Sequence, residues 1–320
     1  MKKLLRTVAL VASLVLAAGQ AAAQYPAKPV RIIVPFLAGG PVDTTARVIQ
    51  QALSRALGQP VIVENKPGAD GAIAAQAVMS SPPDGYTLFF GGSSTMVSVP
   101  VLRKNPPFDP VADFTPISLI GRYAFCMFVH PDVPAKTVAE FVAHARANPD
   151  KLNFATSNLT EFMFAAQLMK STGISMVRVP YKGAAQAIPD LIAGRVQLDF
   201  VPISAGLAHV KDGRLRLLAT VLPQRVAVAP DVPTMAEAGI PGVTVSPWQG
   251  IFGPPKLPRE IVERLARELN LILQSAEVRA QYDKQGFQPE PSTPEALTAM
   301  LKSDVQTWGQ IVREAGIPQD

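Results

Sequence analysis

Short β-branched runs alternate along this chain with stretches in which apolar residues recur every three or four positions. Residues 30–34 (Val-Arg-Ile-Ile-Val) form the first such run and predict a strand. Ile49, Ala52, Leu53, Ala56 and Leu57 then share one helical face, Gly58 supplies the stop, and residues 61–63 read as a second strand. Together they make one βαβ unit. Farther on, Thr137 and Glu140 have capping-box spacing and open a helix that turns Val138, Phe141, Val142 and Ala145 inward, with a strand at 153–156 after it. A helix is expected between Tyr181 and Gly194, bent or shortened by Pro189. Near the end, Ser292 with Glu295 predicts a capped helix carrying Leu297, Leu301, Val305, Trp308 and Val312 inward and stopping at Gly316. The alternation predicts an α/β fold with helices on both faces of its sheets.

In open α/β sheets, ligands bind where the strands end, so the strand-to-helix turns carry the functional signal. The first turn runs Val34-Pro35-Phe36-Leu37-Ala38-Gly39-Gly40-Pro41-Val42-Asp43. Its glycines let backbone approach a ligand, Pro41 suits a first helical turn, and free N–H groups there attract an anion. Neither G-x-G-x-x-G nor a P-loop is present, so phosphate chemistry is not indicated, and a bare change of chain direction is the competing reading. Gly91-Gly92-Ser93-Ser94-Thr95 follows the apolar strand 87–90, and Ala155-Thr156-Ser157-Asn158 ends the strand of the second half. Both offer hydroxyls and amides to a carboxylate, although the same residues are ordinary turn formers.

Composition narrows the class. The 320 residues are 48% hydrophobic and 17% charged, enough for a large core and two lobes. The 31 prolines are spread as punctuation between short elements. Lys2, Lys3 and Arg6, an apolar stretch at 8–18 and Ala21-Ala22-Ala23 have the pattern of a signal peptide, residues 1–23, cleaved to leave Gln24 first; a membrane anchor is the alternative. Three of the charges behind the net +5 belong to that leader, and no dense basic run remains, which argues against nucleic acid. Cys126, the single cysteine, cannot form an internal disulfide and sits in an apolar run, so it reads as core. Catalysis is poorly supported: only His130, His144 and His209 offer a base, no G-x-S-x-G elbow appears, and no cluster has metal-ligand spacing. No cofactor or metal is expected.

A set of segments now carries a resemblance. They are Val34-Pro35-Phe36 with Gly39-Gly40 and Asp43, then Glu64-Asn65-Lys66-Pro67-Gly68-Ala69, Pro83-Asp84-Gly85-Tyr86-Thr87-Leu88 and Asp113-Phe114-Thr115-Pro116-Ile117. Val179-Pro180-Tyr181-Lys182-Gly183, Asp190-Leu191 with Gly194, Asp231-Val232-Pro233-Thr234 with Glu237-Ala238-Gly239, and Trp248-Gln249-Gly250 complete the series. In order and spacing they resemble the substrate-binding proteins of tripartite tricarboxylate transporters, the Bug family, across almost the whole mature chain.

The resemblance implies a type II periplasmic-binding-protein fold: two α/β lobes with a ligand cleft between them, the chain crossing near 119–126 and 243–250. Residues 24–121 plus 248–320 would form one lobe and 122–247 the other. It also implies a periplasmic protein that captures a small carboxylate through neutral donors and hands it to membrane permease subunits; a monomer is the default for such a diffusing carrier. Sensing, with the liganded form shown to a signalling partner, is the alternative role. The expected ligand-binding set is Phe36, Ala38, Gly39, Gly40, Asp43, Ser93, Ser94, Thr95, Thr156, Ser157, Asn158, Tyr181, Asp199 and Val201. Several of these have a plain structural reading beside the functional one. Asp43 complements a helix dipole as readily as it orients a ligand, and Tyr181 suits a half-buried aromatic. The second-half turn lacks the glycines and histidine usual in relatives, and Val201-Pro202 stands where many have an aspartate. An ammonium-bearing ligand is thereby less favoured, unless Asp199, on the strand face of Val201, compensates.

Overall fold

The computed structural model describes residues 25–226, 228–241, 243, 247–314 and 319. The expected leader and Gly316 lie outside these. Two sheets organise the described chain. The first has the order β11-β4-β10-β3-β1-β2, built from β1 (Val30–Val34), β2 (Val61–Asn65), β3 (Thr87–Gly92), β4 (Thr115–Tyr123), β10 (Trp248–Gly253) and β11 (Phe287–Pro289). The second has the order β7-β6-β8-β5-β9, from β5 (Phe125–Val129), β6 (Asn153–Thr156), β7 (Val177–Pro180), β8 (Leu198–Pro202) and β9 (Arg216–Thr220).

The two orders follow one plan. In the first sheet β1 lies parallel between β2 and β3, and β10 runs antiparallel between β3 and β4. In the second, β6 lies parallel between β7 and β8, and β5 runs antiparallel between β8 and β9. Each sheet thus holds an internal antiparallel strand, β10 or β5, that arrives after the chain has visited the other sheet, and β11 adds a second antiparallel strand at the edge of the first; this is the arrangement expected of a type II binding-protein fold.

Helices form where the apolar period predicts them. Helix α1 (Pro41–Leu57) starts from extended Gly40 with Pro41 in its first turn and ends on left-handed Gly58, whose N–H donates to the Ser54 carbonyl at 3.1 Å. Its buried face carries Val48, Ile49, Ala52, Leu53 and Leu57. Helix α2 is Ala72–Met79, and a wide turn at Ser94–Ser98 leads into the short α3 (Val99–Leu102). The second sheet is covered by α4 (Val138–Ala147), α5 (Leu159–Thr172), α6 (Ala184–Ile192) and α7 (Ile203–Lys211). Thr137 caps α4 by accepting from the Glu140 N–H at 3.1 Å. Pro189 sits inside α6 without breaking it.

Three helices close the first half: α8 (Arg259–Gln274), α9 (Ala276–Asp283) and α10 (Pro294–Glu314). The cap of α10 falls one residue later than the sequence pattern suggests. Thr293 Oγ1 accepts from the Ala296 N–H at 3.1 Å, while Ser292 Oγ accepts from the Leu119 N–H and so ties the loop to β4. An acceptor near a helix start can serve either the cap or a neighbouring strand, and only packing decides which.

Ala124 is the single residue between β4 and β5. Its N–H donates to the Gly286 carbonyl beside the first sheet and its carbonyl accepts from Ile203 at the start of α7. One residue is therefore bonded to both halves at this passage. Cys126 is fully buried, and burial pushes its thiol up to about 12, as suits a core position.

Candidate ligand crevice between the two sheets

A crevice opens between the two halves at the strand ends. From the first sheet it is lined by Phe36, Ala38 and Gly40 of the β1–α1 turn, Ser93 and Ser94 after β3, and Gln249 of β10. Ser157, Asn158, Thr160 and Glu161 face them from the β6–α5 turn, with Gly183 to Ala185 at the start of α6 and Pro202 at the end of β8. Tyr123 and Phe125, on either side of Ala124, also line it. These segments converge because parallel strands of an α/β sheet end on one edge, where helix N-termini and their free amides collect.

Of the expected binding residues, Phe36, Ala38, Gly40, Ser93, Ser94, Ser157 and Asn158 meet in this crevice. Ser94 is buried and its Oγ has no hydrogen-bond partner. Such a group costs stability unless something satisfies it, and Ser94 is one of the residues lining the crevice.

The other expected residues stand outside that lining, each for a local reason. Gly39, at φ +82°, borders a neighbouring depression, and its N–H donates to Asp43 Oδ2 at 2.9 Å. Asp43 is buried and also accepts from Arg47 Nε and from Asn65 Nδ2, both at 2.9 Å. Asn65 donates in turn to the Phe36 carbonyl at 3.0 Å. Asp43 thus shapes the turn from beneath. Burial works against its charge, but the bonds from Arg47, Gly39 and Asn65 prevail and hold its carboxyl below the usual range.

Thr95 is buried in the first half and donates to the Asp70 carbonyl at 3.0 Å. Thr156 is buried and accepts from Arg178 Nε at 2.9 Å. Tyr181 lines an adjoining recess with Lys182, on the far side of Phe36, and its hydroxyl donates to Asp190 Oδ2 at 2.8 Å. Asp199 and Val201 share one face of β8 as their period requires, but that face is fully buried. Both Asp199 oxygens lack a hydrogen-bond partner, and burial, followed by the charge of Glu161, raises its carboxyl well above the ordinary range.

Glu161 is the residue that sequence reasoning passed over. It is buried, and its carboxylate accepts from the Ser157 N–H, from Ser157 Oγ and, at 2.8 Å, from Asn158 Nδ2. The Glu161 N–H donates back to Asn158 Oδ1 at 3.0 Å. Burial still dominates and lifts its carboxyl above the usual range. The signal was readable, since Asn158 and Glu161 have the same capping-box spacing as Thr137 and Glu140. Gln249 belongs to a segment already singled out, whereas Tyr123 and Phe125 gave no sign beyond being aromatic.

Comparison with known proteins decides the family. Residues 45–317 match the model described as tripartite tricarboxylate transporter family receptor. The chain belongs to this receptor family. Among relatives of this receptor, Protein BugT of Bordetella pertussis is 35% identical over 309 residues, covering 96% of this chain and 95% of its own. A protein of R. palustris solved with adipate is 31% identical with a TM-score of 0.88, covering 92% of this chain and 99% of its own. MatC from Rhodopseudomonas palustris, solved with bound malate, is 30% identical with a TM-score of 0.84, covering 90% of this receptor and 100% of its own chain. No helix among the described residues is long and apolar enough to cross a membrane.

Proposed function

We propose that this receptor captures a small carboxylate-bearing solute in the periplasm and delivers it to the membrane permease of a tripartite tricarboxylate-type transporter. One observation carries the reading. The buried, partnerless Ser94 hydroxyl and the start of α1 border one crevice, where the first-turn amides of Val42 and Asp43 have no intrahelical acceptor. Donors that lack acceptors call for an acid. The adipate and malate held by the two R. palustris relatives are of that chemical class.

On this reading, residues 24–121 plus 248–320 make one lobe and 122–247 the second, with Arg122 and Tyr123 carrying β4 of the first sheet up to the passage. The lobes rotate about Ala124 and the return passage near Pro247, whose carbonyl accepts from the Tyr123 N–H at 3.0 Å. Phe36, Ala38, Gly40, Ser93, Ser94, Ser157 and Asn158 contact the ligand. Gly39, Asp43, Thr95 and Thr156 hold those contacts in place. On this reading the chain works as a monomeric carrier and not as an enzyme.

Native mass spectrometry of the receptor purified from periplasm tests this. The expected result is a stoichiometric bound compound containing a carboxyl group, with thermal stabilisation on adding it back to stripped protein. A bound compound lacking a carboxyl group sinks the proposal.

A further inference from the structure

We infer that the ligand is an amino-carboxylate, its carboxylate held by the first-sheet turns and its ammonium set against Glu161; the inference rests on the carboxylate reading above and narrows it. The two walls of the crevice differ in chemistry. On the first-sheet side, Ser94 Oγ is a buried hydroxyl without a partner, the opening amides of α1 have no intrahelical acceptor, and the acid at that helix start, Asp43, is already paired with Arg47. On the opposite side the donors are already used. The Ser157 N–H, Ser157 Oγ and Asn158 Nδ2 all point at the Glu161 carboxylate. The N-terminus of α5, which would otherwise draw a ligand's second acid group, is filled by an acid of the chain itself.

Asp199 strengthens the asymmetry. It is fully buried, both of its oxygens are unpaired, and an ionised Glu161 opposes its ionisation. Among the described residues no lysine, arginine or histidine lines the crevice, and Lys182 lies in the adjoining recess that Phe36 also borders. Glu161, the acid that lines the crevice, favours an incoming cation, because an opposite charge close by offsets the burial that disfavours its ionised form. A diacid would instead set a carboxylate against Glu161, and like charges at contact in a dry site repel strongly. A plain monoacid would set apolar carbon against Glu161, leaving its buried charge hydrogen-bonded to Ser157 and Asn158 but without an opposite charge from the ligand.

Titration calorimetry with three matched series decides the matter: α- and ω-amino acids, the diacids in which a carboxylate replaces the ammonium, and the unsubstituted monoacids. The wild-type receptor is expected to bind at least one amino acid tenfold or more tightly than its diacid and monoacid counterparts. Glu161→Gln keeps an acceptor for the Ser157 and Asn158 donors, and it is expected to erase most of that preference while moving monoacid affinity less than threefold. Diacids binding wild type as tightly as amino acids, or a preference that survives E161Q, overturns the assignment and leaves the carboxylate reading standing. Failure of every compound in all three series overturns the carboxylate reading itself. Should E161Q not fold, the wild-type ranking alone decides.

Discussion

Asn65, the last residue of β2, donates its side-chain amide to Asp43 Oδ1 at 2.9 Å and to the Phe36 carbonyl at 3.0 Å. The end of one strand thereby fixes both ends of the turn that borders the crevice. Asp43→Ala removes the acceptor for Asn65, Arg47 and the Gly39 N–H. Stability at neutral pH is expected to fall by about 2 kcal/mol, the cost of leaving buried donors unsatisfied. Because the folded carboxyl is held below its ordinary range, its contribution is complete above the unfolded value and disappears as pH falls through the lowered folded one. Urea titrations at pH 7 and pH 3 check both points: the gap between wild type and variant should narrow in acid.

Ser94→Ala separates binding from folding. The lost hydroxyl is buried and bonded to nothing, so the ligand-free protein should keep its stability or gain up to about 1 kcal/mol. Affinity for the native ligand should drop about tenfold, the worth of one hydrogen bond to a charged acceptor. Denaturant melts and calorimetry measure the two. A large loss of stability with unchanged affinity would place Ser94 in the scaffold instead.

The Glu161 and Asp199 carboxyls are both raised, with burial the largest cause. An acid whose folded value exceeds its unfolded one favours the folded state when protonated, so stability is full below the ordinary carboxylate range and declines as pH rises through the raised values. The ligand-free receptor should therefore melt at a lower temperature at pH 8 than at pH 5. The slope is at most about 1.4 kcal/mol per pH unit for each group. Asp199→Asn or E161Q should flatten that slope, and parallel pH profiles for wild type and both variants would contradict it.

Gly286 precedes β11 at φ +61°, and a side-chain carbon there would overlap Ile203 Cγ2 at the start of α7. Gly286→Ala should cost about 2 to 4 kcal/mol from left-handed strain and overpacking together. It should also prop the two halves apart, so that small-angle scattering of the ligand-saturated variant gives a larger radius of gyration than wild type. An unchanged radius would show that the passage yields without opening the crevice.

Local features were legible in the sequence because local physics sets them. The apolar period gave α1 and its buried Ile49 and Leu53, glycine at left-handed φ gave its stop, and proline spacing gave the turns. The three polar turns were found from residue type alone, and all three line the crevice, the third facing the other two. Where each side chain would point was less accessible. Thr95 and Ser94 are neighbours with similar chemistry, yet one is bonded to the Asp70 carbonyl and the other has no partner.

What the sequence determined by itself, then, was the alternation of strands and helices, the capping spacings and the ordered motifs of a family, since each depends on a few adjacent residues. Tertiary structure alone decided that β5 and β10 run against their sheets, that Tyr123 and Phe125 come to line the crevice, and that Glu161 turns inward to fill its own helix start. Those outcomes arise from contacts between residues far apart in the chain, where burial and the competition among hydrogen-bond partners select one arrangement from several that local preference permits.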